Sequence, residues 1–168
     1  MSGSSKLEQN KQEKKMTSNG RAALIGFFGG LIWSLIGYLA YLINFSKVGP
    51  SLILAPFAIG KWKNKVGGQF LGIFIICIIS ILIALLYKYA LGKIKSMWVG
   101  IIFGLILWVI IFYVLQPWIP GLDPVSKLGK NTISTTLCLY ALYGLFVGYS
   151  ISFDLESLAN EESASKNN

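Results

Sequence analysis

The side chains able to do chemistry in this 168-residue chain are few, and none stands beside a catalytic partner. Histidine is absent, which removes the commonest acid–base catalyst and metal ligand at once. The two cysteines, Cys77 and Cys138, each fall in an apolar run, where a thiol packs as a small hydrophobe. Two thiols without histidine make neither a disulfide framework nor a zinc site. Hydroxyls are more plentiful: Thr132, Ser134, Thr135, Thr136, Tyr140, Tyr143 and Ser150 crowd one segment. At helical spacing Thr132, Thr136, Tyr140 and Tyr143 share a face. A nucleophilic hydroxyl needs a base, and that segment holds neither imidazole nor carboxylate. The motifs G-x-S-x-G, H-E-x-x-H, G-x-x-x-x-G-K-[ST] and C-x-x-C are all missing from the chain. The chain is expected to be no enzyme and to carry no catalytic residue, cofactor or metal.

A hydroxyl face has two readings. It lines a small polar cavity, or its hydroxyls bond carbonyls one turn back and tie helices together. The second is the expectation, because membrane helices use such residues routinely. That these are membrane helices follows from charge placement. Charged residues make up 13% of the chain, against about 25% in ordinary soluble domains. None occurs in 22–46, 66–87, 96–122 or 131–153. An uncharged apolar run of about 20 residues crosses a hydrocarbon core of ~30 Å at ~1.5 Å per residue. A soluble globule, a nucleic-acid-binding domain and a disulfide-stapled secreted module are thereby excluded. The pI of 9.5 does not rescue the second of these.

The expected fold is all-α: a polytopic membrane protein with four transmembrane helices in a bundle. The spans are predicted at about 22–43, 66–87, 97–115 and 132–152, inside a membrane domain of 22–153. Residues 1–21 form a basic tail, expected to be disordered, and 154–168 an acidic tail expected likewise. The first run is too long for a signal-peptide core and lacks a small-residue cleavage pattern, so it reads as an uncleaved anchor. The link 88–96 is short, which makes the second and third helices antiparallel neighbours. With both termini inside, nine basic residues lie on the inner side against six in the outer loops. By the positive-inside rule this leans toward cytoplasmic termini in a multi-pass protein of the cell membrane. Trp62, Trp98 and Trp118 fall where spans meet water, as an aromatic belt requires. Trp33 and Trp108 lie deeper and should fill gaps between helices.

Helices in lipid associate through close backbone contact, which small residues permit. Residues four apart share a face, and every span carries such a ladder. The first has Ala22, Gly26, Gly30 and Ser34, and the second Gly68 and Gly72 followed by Ser80 and Ala84. The third has Ser96, Gly100 and Gly104, and the fourth Gly144, Gly148 and Ser152. These are the candidate packing residues. All five prolines lie in the two outer loops or at their helix ends. Both loops are also apolar, and Pro50–Gly60 is either interfacial or re-entrant, or folded over the bundle mouth. Leu52, Leu54, Phe57, Trp62 and Trp118 form the candidate outer-loop binding surface.

Three strings carry a resemblance: W-S-x-I-G-Y-x-A-Y-L from Trp33 to Leu42, Lys93-Ile94-Lys95-Ser96-Met97-Trp98-x-Gly100, and the run from Leu142 to Phe153. Together they resemble the YqhR family of small membrane proteins of spore-forming bacilli. The resemblance implies four helices in the cytoplasmic membrane, with the outer loops on the cell-wall side, and transfers no functional residue. The functional expectation is an accessory or scaffold protein whose partners are the lipid bilayer and another membrane protein or a second copy of the chain. The alternative is a small pore or exporter subunit for a neutral or hydrophobic solute. No ionisable residue or proline interrupts the spans, and transporters use both to bind and gate.

Overall fold

The structure is a computed structural model and describes residues 17–56, 66–92, 94 and 96–166. Four helices organise it: α1 Ser18–Leu42, α2 Val66–Leu91, α3 Met97–Val109 and α4 Lys130–Lys166. A 3-10 turn, Pro50–Leu54, lies between α1 and α2, and α3 runs on into a π turn, Ile110–Val114. No strand occurs among the described residues. All four helices are long and apolar enough to cross a membrane, α3 by including its π turn to reach Met97–Val114. The fold is an all-α bundle of membrane-spanning helices.

The helix ends follow local chemistry. Asn44 takes a left-handed conformation (φ 57), which asparagine tolerates better than most residues. That geometry lets the N–H groups of Phe45 and Ser46 both reach the carbonyl of Ala40 at 2.9 and 3.1 Å, closing α1. Lys88 sits in the last turn of α2, where a cation complements the helix dipole. The π turn is closed by the N–H of Leu115 on the carbonyl of Ile110 at 2.9 Å. Pro117 follows and, lacking an N–H, cannot continue the helix.

Two boundaries differ from the sequence expectation. α1 begins at Ser18, inside the segment expected to be disordered. α4 continues to Lys166, through the acidic stretch expected to be a disordered tail. Both extensions have tertiary support. Arg21 pairs with Asp154 at 2.9 Å, and Leu155 packs against the turn at Gly92. The α4 extension, 154–166, also contains neither glycine nor proline, so nothing local stops the helix.

The packing order corrects a further expectation. The main seams are α1 on α2 and α3 on α4, followed by α1 on α4. α2 and α3, joined by the shortest link, form no such seam. They meet through Tyr87 and Phe103, edge to face at 4.9 Å. A short link sets direction; the small-residue faces choose the partner.

Two core clusters result. Toward the termini lie Ala84, Tyr87, Phe103, Tyr143, Val147 and Ile151. Toward the loops lie Ala55, Trp108, Phe112, Ile119, Leu122 and Leu128. Large apolar residues such as Phe28, Leu39, Phe74, Leu82 and Ile106 remain exposed around the circumference, as lipid permits.

Candidate functional site

The packing residues stand as follows. Gly26 and Gly30 of α1 meet Cys77, Ser80 and Ala84 of α2 so closely that a Cβ on Gly26 would lie 2.7 Å from that of Ala84. Ser34, also buried, turns its hydroxyl onto the Leu31 carbonyl at 3.1 Å. Gly100 and Gly104 of α3 meet Tyr140, Gly144 and Gly148 of α4, backbone against backbone. Gly68 and Gly72 are buried, but Gly72 faces the loop backbone at Pro50 rather than a helix.

The hydroxyl face of α4 is turned inward. Thr132 and Thr136 are buried, at 3% and 5% exposure. Thr132 Oγ1 accepts the backbone N–H of Lys47 at 3.1 Å. Thr136 Oγ1 accepts the indole N–H of Trp108 at 3.1 Å and donates to the Thr132 carbonyl at 2.7 Å. One helical turn on, Tyr140 packs edge to face on Phe112. At mid-bundle the Ser80 hydroxyl donates to the Gly26 carbonyl at 2.5 Å, so Tyr143, 2.7 Å away, donates to Ser80. Three helices are tied at that point. Buried hydroxyls satisfied in this way hold helices together, and none lies beside a proton acceptor stronger than a carbonyl or another hydroxyl. Among the described residues two buried donors have no hydrogen-bond partner: the Trp33 indole Nε1 and the Tyr87 hydroxyl.

At the loop side the described part of the first loop, up to Pro56, and the second loop fold over the bundle mouth. The 3-10 turn Pro50–Leu54 lies on α2, with the Ser51 N–H on Gln69 Oε1 at 3.0 Å. Leu52, Val48 and Val125 join the cluster of Trp108, Ile119 and Leu122. Leu54, expected in an exposed binding surface, is instead buried at 4% exposure, and Leu52, expected there too, is partly buried against this cluster. Their apolar character is used against α2 and the second loop. Trp118 is 81% exposed. Phe57 and Trp62 lie outside the described residues.

At the opposite end a polar cluster ties the helices. Arg21 and Asp154 join α1 to α4. Lys88 Nζ donates to Asn19 Oδ1 at 2.5 Å, and Asn19 Nδ2 donates to the Tyr89 hydroxyl at 2.9 Å. The sequence reading missed this arrangement. Its only signal was one cation just before the first uncharged run and one carboxylate just after the last.

Comparison with known proteins agrees with this architecture. A family described as "Conserved membrane protein YqhR" matches residues 2–166. A protein of Bacillus subtilis (strain 168), named "Uncharacterized protein YqhR", is 44% identical over 169 residues, covering 98% of this chain and 95% of the relative. No solved structure matches. The chain belongs to the YqhR family of conserved membrane proteins.

Proposed function

We propose that this member of the YqhR family is a non-enzymatic accessory or scaffold protein that binds another membrane protein or lipid. The supporting observation is the pairing of the α4 hydroxyl face. Thr132, Thr136 and Tyr143 are spent on Lys47, Trp108 and Ser80, whereas a pore needs such groups turned toward water. With Leu52 and Leu54 inside the cap, the protein-binding surface falls to the second loop. There Trp118 is exposed and flanked by Pro117 and Pro120. A large aromatic on a stiffened segment loses little entropy on association.

The test is co-purification from the native host in mild detergent after cross-linking. Trp118→Asp inserts and folds normally but loses its cross-linked partner, while Thr132→Ala and Thr136→Val retain it. The reverse pattern would move the activity to the interior and overturn the reading. A Trp118 variant that keeps its partner would leave that side chain only an interfacial anchor.

The proposed orientation places the termini in the cytoplasm and the cap outside the cell membrane. In a chain with Cys77→Ser and Cys138→Ser, an impermeant thiol reagent on intact cells labels Lys127→Cys and spares Glu156→Cys. Labelling of the second and not the first reverses the orientation.

A further inference from the structure

The four helices form two pairs, and the contacts within a pair differ in kind from those between pairs. Within α1–α2 and within α3–α4, glycines bring backbone against backbone. A Cβ on Gly26 would lie 2.7 Å from the Ser80 carbonyl oxygen, and one on Gly100 2.6 Å from that of Gly144. Between the pairs the seam of α1 with α4 is lighter, and α1 and α3 form none among the described residues. Where a glycine faces the other pair, the nearest atoms across are side chains. Gly29 meets Phe146 and Tyr143, Gly37 meets Leu139, and Gly148 meets Tyr87. Side chains can change rotamer, whereas packed backbones cannot.

Polar ties join the pairs at three levels. Ser80 meets Tyr143 at mid-bundle, 2.7 Å apart. Arg21 meets Asp154 at the terminal end, and the Lys47 N–H meets Thr132 at the loop end.

Both unpartnered donors lie on this boundary. Tyr87 of α2 is fully buried, with its ring on Phe103 of α3. Its hydroxyl stands 2.8 Å from where a Cβ on Gly148 of α4 would be. Trp33 of α1 packs on the cluster of Tyr143 and Val147, its indole nitrogen buried. Neither donor has a hydrogen-bond partner among the described residues. Inside a membrane no water replaces the missing bond, so this packing carries a cost that another packing removes. An acceptor for Tyr87 is close at hand. The Gly144 carbonyl lies at the same glycine crossing, one helical turn from Gly148.

We propose that the bundle is a two-state rocker. The pairs α1–α2 and α3–α4 move as rigid bodies about the Ser80–Tyr143 contact, between the packing described and a second in which Tyr87 donates to the Gly144 carbonyl. The Arg21–Asp154 ion pair latches the first state. This device goes beyond the binding role proposed above and does not depend on Trp118.

The test uses the full chain with Cys77→Ser and Cys138→Ser in lipid nanodiscs, with paired nitroxides read by double electron–electron resonance. Leu24→Cys with Trp98→Cys reads across the pairs. Leu24→Cys with Leu86→Cys, and Trp98→Cys with Tyr149→Cys, read within them. All four positions are exposed. The cross-pair distribution has two components, the minor about a tenth of the total, and each within-pair distribution has one. Tyr87→Phe keeps the ring and lowers the minor fraction about threefold or more, because the second state loses its added bond. Asp154→Asn raises that fraction about threefold, as loss of a part-exposed ion pair allows. A single component across the pairs, a splitting shared by the within-pair distances, or a minor fraction unmoved by Tyr87→Phe would overturn the proposal. So would a minor fraction that falls in Asp154→Asn.

Discussion

Gly104→Ala lowers the thermal midpoint in detergent by about 3–10 °C, and Gly67→Ala does not lower it at all. The difference lies in what each added methyl meets. A Cβ at Gly104 would stand 2.9 Å from the carbonyl carbon of Tyr140 and 3.2 Å from the Cα of Ala141. Both are backbone atoms of a packed helix and cannot rotate aside. The only relief is to part α3 from α4, which loosens the reciprocal contacts of Gly100, Gly144 and Gly148 along the same seam. Overpacking of this kind costs about 1–3 kcal/mol, and for a chain of this size each kcal/mol moves the midpoint by roughly 2–4 °C. At Gly67 nothing lies within 4 Å among the described residues, and alanine's helix propensity gives up to about 1 kcal/mol in the favourable direction. Scanning fluorimetry of the two variants decides the matter. Equal midpoints would mean that the glycine seam contributes nothing that a scattered glycine does not.

That seam marks the extent to which this fold can be read from sequence. The i, i+4 ladders identify which face of each helix is small, because helical periodicity is local. They do not identify what the face meets. Gly72 lies on the same stripe as Ser80 and Ala84, yet Gly72 lies against Pro50 while Ser80 and Ala84 meet α1. The short link 88–96 invites a pairing of α2 with α3 that the seams override. Chain proximity limits where a helix can go, and backbone approach across glycine decides where it stays.

The ends of the helices were harder to read for a related reason. The stretch after Phe153 is charged and looks unable to bury enough surface to order itself. Its support comes from Arg21, 133 residues away, and from the Gly92 turn, neither of which is visible in a local window. Leu52 and Leu54 pose the opposite problem. An apolar side chain in a loop suits an exposed anchor and a capping core equally well; for Leu52 the cluster of Ile119, Leu122 and Leu128 from the second loop decides it, and for Leu54 its own burial does. The hydroxyl face of α4 was legible as a face. Its destination depended on Trp108, Lys47 and Ser80 arriving from three other segments.

Gly72→Leu should release the Pro50–Leu54 turn and raise thiol labelling at position 51 by about two orders of magnitude. Ser51 is 9% exposed, with its N–H on the buried Gln69. In a chain with Cys77→Ser and Cys138→Ser, a thiol placed by Ser51→Cys therefore reacts only when the cap opens. A Cβ at position 72 would lie 2.6 Å from the Pro50 carbonyl carbon, so a leucine there leaves the turn nowhere to sit. Opening forfeits one hydrogen bond, about 1 kcal/mol, and the burial of Leu54, about 1.5–3 kcal/mol. Leucine at position 72 removes roughly that difference between closed and open, which sets the expected rise in rate. Lys127→Cys, on an exposed part of the second loop, supplies the reference and labels equally with and without Gly72→Leu. Labelling at 51 that stays slow would mean that the turn is held from elsewhere and that the Gly72 contact is incidental. The same variant also separates the two functional readings once reconstituted in liposomes. With the cap displaced, Thr132 loses the Lys47 N–H, but Thr136 keeps Trp108 and Tyr143 keeps Ser80, because those bonds join helix to helix below the cap. An accessory protein built this way stays impermeant to small neutral solutes when uncapped. Solute flux through Gly72→Leu and not through the unaltered chain would transfer the case to the pore, with the Pro50–Leu54 turn as its stopper.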